Sequence, residues 1–250
     1  MKLENKTAIV TGASKGIGAA IAKGLAAEGA KVVVNYMHSE TGANQVVAEI
    51  AANGGTALAL QADVSNEADI MRLFDETAKA FGSLDILVNN AGIYNYEPIE
   101  EISVATVHEQ FNINVLGPLL TIREAVKLFG RKGGNIINIS SAASNLAMAT
   151  GSVYSATKAA LDTITVALSK EFSGRNIRIN SVLPGSVETE GTHRTGVMGS
   201  DFEKTLIANT PLGRIGQPDD IAKVVTFLAS ADAAWVTGEK IAVSGGIYGF

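Results

Sequence analysis

The 250-residue sequence predicts an α/β protein: a doubly wound parallel sheet of about seven strands with helices on both faces. Three observations carry that expectation. Short β-branched runs alternate with longer helical patterns, which requires crossover connections and a mostly parallel sheet. The runs are nearly all apolar instead of alternating, as in a sheet covered on both sides. No proline-rich or low-complexity linker interrupts the series, so a single domain over 1–250 is the expected organisation.

The elements follow in order. Thr7 to Thr11 (TAIVT) reads as a buried strand, and Gly16 to Glu28 as a helix ended by Gly29. Lys31 to Asn35 (KVVVN) is a second strand, and the helix from Glu40 to Ala52 stops at Asn53-Gly54-Gly55. Ala57 to Gln61 is a third strand and Glu67 to Phe81 a third helix. Leu84 to Asn90 (LDILVNN) is a fourth strand, and one long helical region runs from about Ser103 to Phe129. Asn135 to Ser140 (NIINIS) is the fifth strand, Ser152 to Phe172 a helix, and Ile177 to Leu183 the sixth strand. Asp219 to Leu228 is helical, and Lys240 to Gly246 a last strand. The one long, weakly patterned region, Ser186 to Gly216, carries Gly191, Gly196, Gly199 and Gly213. Loops of that length are usually functional, so a substrate lid at about 186–216 is expected, with a short helix near Asp201 to Ala208. The final IYGF is apolar for a free tail, which suits packing at a subunit interface or on the chain's own core.

Composition narrows the function. The net charge is −5 with the two signs mixed along the chain, which gives no support for nucleic-acid binding. There is no cysteine, which excludes disulfides, thiolate nucleophiles and cysteine metal sites. His38, His108 and His193 are far apart in sequence and form no metal-binding motif, so no metal is expected. The N-terminus lacks a signal-peptide core, and no stretch reaches the ~18 apolar residues of a membrane helix. A cytoplasmic location and no membrane partner are the expectation.

The first chemical feature is VTGASKGIGAAIA (Val10 to Ala22), directly after the first strand and opening the first helix. Gly12, Gly16 and Gly18 permit a tight turn and close backbone approach, and helix N-terminal N–H groups favour an anion such as pyrophosphate. The spacing G-x-x-x-G-x-G differs from the common G-x-G-x-x-G fingerprint, but the strand-to-helix position supports a dinucleotide site. Folds of this kind often place an acid after the second strand to hold a ribose hydroxyl. Here Asn35 and Tyr36 are followed by His38 and Ser39, the first acid is Glu40, and Lys15 stands inside the turn. A missing carboxylate and a nearby cation suit a 2′-phosphate, which favours NADP(H) and leaves NAD(H) possible.

Tyr154 and Lys158, at i and i+4, share one helix face. A tyrosine titrates near ~10 when unperturbed, and a neighbouring ammonium favours its phenolate. The pair is what carbonyl reduction needs: a proton donor for the developing alkoxide and a lysine to tune it. Ser140 and Ser141 end the fifth strand, at the edge where open parallel sheets bind ligands, and a serine there can hydrogen-bond the carbonyl oxygen. Ser155-x-x-Lys158 also matches an acyl-transfer pattern, but the accompanying S-D-N and K-T-G strings are absent.

With these residues in view, the chain resembles the short-chain dehydrogenase/reductase family, in its compact single-domain, Rossmann-type branch. TGASKGIG is similar to the family's cofactor turn, implying contacts from Gly12, Ser14, Lys15, Gly16, Ile17 and Gly18. Asp63 and Val64, in ADVS, match the adenine-contacting segment, and Asn90, Ala91 and Gly92, in NNAG, the motif beneath the cofactor. Pro184, Gly185, Val187 and Thr189, in PGSVET, match the segment at the nicotinamide end. The resemblance implies a catalytic set of Asn114, Ser141, Tyr154 and Lys158. In it Tyr154 is the acid or base, Ser141 polarises the carbonyl, Lys158 holds the nicotinamide ribose and lowers the tyrosine pKa, and Asn114 supports a water leading to Lys158.

Within the family, VVVNY, PLGRIGQPDDIA and SGG are similar to 3-oxoacyl-acyl-carrier-protein reductases and related ketoreductases, including sugar dehydrogenases. The resemblance implies a small-molecule or acyl-carrier-bound carbonyl substrate and a homotetramer built on the long helices. Lys132 and Arg175 are candidate carrier-docking cations near the site mouth. Tyr94, Tyr96, Asn145, Met148, Ser186, His193, Met198 and Phe202 are candidate pocket residues. A glucose-type dehydrogenase and a non-enzymatic dinucleotide sensor are the alternatives.

Overall fold

Successive side chains along a strand point to opposite faces of the sheet, and here both faces are apolar, so each strand feeds two cores. Ile9, Val33, Leu87, Ile136 and Ile179 belong to one; Ala8, Val10, Val32, Val34, Val88 and Ile137 belong to the other. The computed structural model describes residues 1–194 and 196–247. Tyr248 to Phe250, the end of the apolar tail, lie outside the described residues, and with them the choice between its two packings.

The elements are β1 (Thr7–Val10), α1 (Gly16–Ala27), β2 (Lys31–Tyr36), α2 (Glu40–Ala52), β3 (Thr56–Gln61), α3 (Glu67–Phe81), β4 (Ile86–Asn89), α4 (Val104–Phe111), α5 (Gly117–Leu128), β5 (Gly134–Ile139), α6 (Ser152–Glu171), β6 (Ile177–Pro184), α7 (Glu190–Arg194), α8 (Asp201–Ala208), α9 (Pro218–Ala229) and β7 (Lys240–Val243). All pairings are parallel, in the order β3-β2-β1-β4-β5-β6-β7. Helices α1, α2 and α9 cover one face, and α3, α5 and α6 the other. The chain therefore winds outward twice from the β1/β4 pair. That reversal leaves a crevice at the C-terminal ends of these strands, where open α/β sheets bind ligands. The predicted Rossmann-type fold is the observed one.

Two local features depart from expectation. The helical region from Ser103 to Phe129 is broken: between α4 and α5, Asn112–Leu116 forms a π turn. Such bulges often mark functional positions, and this one carries Asn114. The Ser186 to Gly216 segment is closed at its base, where the Gly216 N–H donates to the Ser186 carbonyl and the Glu188 N–H to the Gly216 carbonyl, each at 2.9 Å. It contains α7 as well as the expected α8.

Lys132 and Arg175 do not flank the site mouth of this chain. Lys132 precedes β5 and Arg175 precedes β6, so both lie at the N-terminal edge of a parallel sheet whose crevice is at the other edge. The Arg175 guanidinium sits 5.6 Å from the centre of the Phe172 ring, a packing contact. Spacing in the sequence gives no sign of which sheet edge a turn occupies unless the strand directions are traced.

Candidate active site

The glycine turn and the NNAG segment meet because β1 pairs with β4, with Val10 opposite Val88. Thr11 joins them. Its buried Oγ1 accepts from the Asn90 and Ala91 N–H groups at 2.9 and 3.0 Å, while the Asn90 amide donates to the Thr11 and Gly12 carbonyls at 2.9 and 3.1 Å. Gly12 and Gly16 have φ of 60° and 55°, in the left-handed region that favours glycine. At Gly12 a side chain would lie 2.9 Å from the Ala91 Cα, and at Gly18 it would meet the Asn90 amide and lie 2.5 Å from the Gly12 carbonyl oxygen. The turn is thus fixed by close backbone packing.

The residues fit a dinucleotide. Helix α1 opens from this turn with no side-chain cap and no acid in its first turn, so its N–H groups are available to a phosphate. Helix α2 begins alongside: a side chain at Gly42 would lie 2.7 Å from the Ser14 carbonyl oxygen. Ser39 caps α2 by accepting from the Gly42 N–H at 3.3 Å. Lys15, His38 and Ser39 are exposed around this junction, Glu40 is exposed in the first turn of α2, and Tyr36 is buried at the end of β2. Asn35 is a residue that sequence reasoning passed over. Its Oδ1 accepts from the Gly12 N–H at 3.2 Å, and its amide donates to the Leu60 and Ala62 carbonyls at 3.3 and 3.1 Å, tying the turn to β3. Asp63 follows β3, with one carboxylate oxygen accepting from the Ser65 N–H and hydroxyl, each at 2.8 Å. Val64 is buried and packs at Gly117, where a side chain would approach its Cγ2 to 3.1 Å.

The expected catalytic residues converge at the same edge. Tyr154 and Lys158 stand on the first turns of α6. Lys158 is buried, its Nζ donates to the Ile139 carbonyl at 2.9 Å, and it lies 5.8 Å from the centre of the Tyr154 ring. Ser140 Oγ donates to the Lys158 carbonyl at 3.3 Å, pinning α6 to β5. Ser141 begins a short turn in which its Oγ accepts from the Ala143 N–H at 3.1 Å. Asn114 is clamped: Oδ1 accepts from the Ile93 N–H at 2.9 Å, and Nδ2 donates to the Ile93 carbonyl at 2.8 Å and the Thr157 hydroxyl at 3.0 Å. A side chain on Gly92 would come within 3.2 Å of Asn114 Oδ1 and 3.5 Å of Lys158 Nζ. Glycine at 92 therefore keeps open the space between these two groups.

The electrostatics differ from the simple expectation. Burial pushes the Tyr154 hydroxyl well above its ordinary value, against an opposing hydrogen bond from Ser141. Burial also pulls Lys158 down to about 8, opposed by the negative charge of Asp162. Burial of the Tyr154 ring therefore outweighs the pull of the neighbouring ammonium towards the phenolate. Asp162, one helical turn beyond Lys158, is itself buried, and neither of its carboxylate oxygens has a hydrogen-bond partner.

A cavity of about 910 Å³ opens in front of these groups. Tyr94, Tyr96, Met148, Ser186, Met198 and Phe202 line it as expected, together with Pro184, Gly185, Val187 and Thr189. Asn145 and His193 do not: His193 turns outward and pairs through Nε2 with Glu188 at 2.9 Å. Ile93, Leu146, Val197, Leu206 and Ile215 were not anticipated. Their apolar side chains carry no sequence signal that separates a cavity wall from a core.

Comparison with known proteins places this arrangement. A family profile described as Enoyl-(Acyl carrier protein) reductase matches residues 12–248. An uncharacterized oxidoreductase of Methylorubrum extorquens is 55% identical over 98% of this chain and 99% of its own length. Versicolorin reductase 1 of Aspergillus parasiticus is 40% identical over 99% of this chain and 98% of its own. Among solved structures, an angucycline C-6 ketoreductase with bound NADP superposes with a TM-score of 0.93 at 35% identity, covering 100% of this chain and 98% of that one. A 7α-hydroxysteroid dehydrogenase complexed with NADH and 7-oxo glycochenodeoxycholic acid gives a TM-score of 0.94 at 34% identity, covering 98% of this chain and 95% of that one. The chain belongs to the short-chain dehydrogenase/reductase family and is an oxidoreductase of its ketoreductase kind.

Proposed function

We propose that the protein reduces a ketone to a secondary alcohol with NADP(H), using Tyr154 as the proton donor. The observation that carries this reading is the convergence of Ser141, Tyr154 and Lys158 on one cavity whose floor continues into Asn90 and Gly92. The dinucleotide, when bound, supplies the hydride. Ser141 holds the carbonyl oxygen, and Tyr154 passes its proton to that oxygen as negative charge develops there. Because burial raises the Tyr154 pKa, the hydroxyl is protonated throughout the neutral range, which suits an acid in the reductive direction. Lys158 holds the nicotinamide ribose and replenishes the tyrosine proton through the gap that Gly92 leaves beside Asn114. At the other end, Gly12, Ser14, Gly16, Ile17 and Gly18 cradle the pyrophosphate, Asp63 and Val64 the adenine, and Pro184, Gly185, Val187 and Thr189 the nicotinamide.

NADP(H) preference rests on Lys15, His38 and Ser39 at the junction of two helix N-termini, with no carboxylate at the end of β2. Lys15→Ala is expected to raise the Michaelis constant for NADPH by roughly tenfold, as for loss of a charge-assisted phosphate contact, and to change that for NADH much less. Equal effects on the two cofactors would sink the assignment. The overall reading is tested by following NADPH absorbance with an activated ketone such as ethyl acetoacetate; no consumption there or with other ketones leaves the sensor alternative standing. A homotetramer belongs to the same reading, supported by Val104, Leu116 and Leu119 standing exposed on the α4–α5 stretch.

A further inference from the structure

Three tyrosines form a triangle in the lining of the catalytic cavity. Tyr94 and Tyr96 have ring centres 5.9 Å apart, and they lie 6.1 and 6.0 Å from the Tyr154 ring. The Tyr94–Tyr96 rings are tilted by 49°, and both meet the Tyr154 ring edge to face at 69° and 63°, so none stacks on another. Tyr94 and Tyr96 are 37% and 45% exposed and both line the cavity.

Both rings lie close to glycine backbone. A side chain on Gly151, just before α6, would lie 3.2 Å from the Tyr96 ring, and one on Gly191, in α7, would lie 2.8 Å from the Tyr94 hydroxyl. Met148 and Phe202, each more than a third exposed, and Met198 line the same cavity, with the Met148 backbone close to the Tyr96 ring at Gly151. Methionine packs adaptably against aromatic rings. Among the described residues lining this cavity, Lys158 is the one charged side chain.

We propose that the substrate is an uncharged, fused-ring aromatic ketone, packed against the Tyr94–Tyr96 pair within the apolar lining to which Met148 and Phe202 belong, with its carbonyl oxygen between Ser141 and Tyr154. The proposal rests on the ketone-reductase reading and adds the substrate class to it. A sugar needs a polar partner for each hydroxyl it buries, and these walls are mostly apolar. A carrier-bound thioester needs basic residues beside the site mouth, and the candidates Lys132 and Arg175 lie at the opposite sheet edge. A pre-set aromatic pair loses little freedom on binding a flat ring, so its contribution goes into affinity.

The test compares 2-tetralone with 2-decalone, ketones of the same two-ring skeleton, one with an aromatic ring and one saturated. The wild-type protein with NADPH is expected to favour 2-tetralone by roughly tenfold in kcat/KM, a magnitude reached by two aromatic contacts. Tyr96→Leu and Tyr94→Leu are each expected to reduce that ratio several-fold, mainly through KM, and Tyr96→Phe is expected to keep it. Reading both ketones on one protein separates a lost clamp from a general loss of folding. A ratio near one in the wild type, a ratio unmoved in both leucine variants, or higher kcat/KM for an acetoacetyl thioester overturns the substrate class while leaving ketone reduction intact. If no ketone consumes NADPH, the reductase reading fails, and titration of the NADP-bound protein with 2-naphthol decides the clamp. Binding weakened in Tyr96→Leu supports it, and no binding removes it.

Discussion

Tyr154→Phe is expected to lower kcat for ketone reduction by roughly 10²–10⁴-fold, the range contributed by a positioned general acid. The phenylalanine ring keeps the edge-to-face contacts with Tyr94 and Tyr96, so the wall of the cavity and the turn proposed to bind the dinucleotide are preserved. NADPH affinity, measured by fluorescence titration, is accordingly expected to change by no more than about twofold. The loss should appear in kcat and kcat/KM together, because the hydroxyl acts on charge that exists only as the carbonyl is reduced. Substantial turnover in Tyr154→Phe would refute the proton-donor role and shift attention to Ser141 and a bound water.

The second large effect couples activity to stability. Lys158→Met is expected to abolish most turnover and to make the protein more stable at pH 7. The lysine is held at about 8 in the fold against 10.5 when unperturbed, with desolvation the largest cause. The unfolded chain therefore binds more protons than the folded one between those values, and stability from this group rises as pH climbs from about 8 to 10.5. Below pH 8 the full cost is present, on the order of 3 kcal/mol. Methionine removes that cost but loses the hydrogen bond to the Ile139 carbonyl, leaving an expected net gain of roughly 1–2 kcal/mol. That corresponds to a rise of several degrees in Tm for a chain of this size. The difference should shrink as the comparison is repeated towards pH 10. A variant less stable than the parent at pH 7 would show that Asp162 and Ile139 hold the ammonium better than burial penalises it. In the wild type, the same titration predicts that reduction declines above pH 8, as Lys158 loses the proton it is proposed to pass to Tyr154.

How much of this was legible in the sequence depends on the range of the interaction involved. The strands were readable because branched apolar runs have few other uses, and α8 (Asp201–Ala208) was placed to the residue. The pairing of Tyr154 with Lys158 was readable because both lie on one helix, four residues apart. What escaped depends on neighbours distant in the chain. The π turn at Asn112–Leu116 interrupts a stretch whose composition continues as helix on both sides. Thr11 and Asn35 look like ordinary strand-end residues until β1 is set beside β4 and β2 beside β3. The direction of the Tyr154 shift needed the burial of its ring, which no spacing rule contains. Lys132 and Arg175 were misplaced because a turn's composition does not say at which end of a sheet it lies.

The strand ends below the site also contain a buried polar chain. The Thr121 hydroxyl on α5 donates to Asn89 Oδ1 at 2.7 Å, and the Asn89 amide donates to Asn138 Oδ1 at 2.9 Å. The Asn138 amide donates to the Thr165 hydroxyl of α6 at 2.9 Å, which meets Ser181 at 2.8 Å. Apolar side chains tolerate small slides past one another, whereas directional bonds between buried amides do not. This polar chain ties α6, the helix that carries Tyr154 and Lys158, to β5 and β6. It divides the protein into a part that can be redesigned and a part that cannot. Apart from Ser141, Tyr154 and Lys158, the cavity wall is open to substitution one residue at a time, but Asn89 and Asn138 are exchangeable only together, since replacing either leaves a buried amide group of the other unbonded. New substrate ranges are thus reachable through the wall residues without disturbing the machinery that moves the proton.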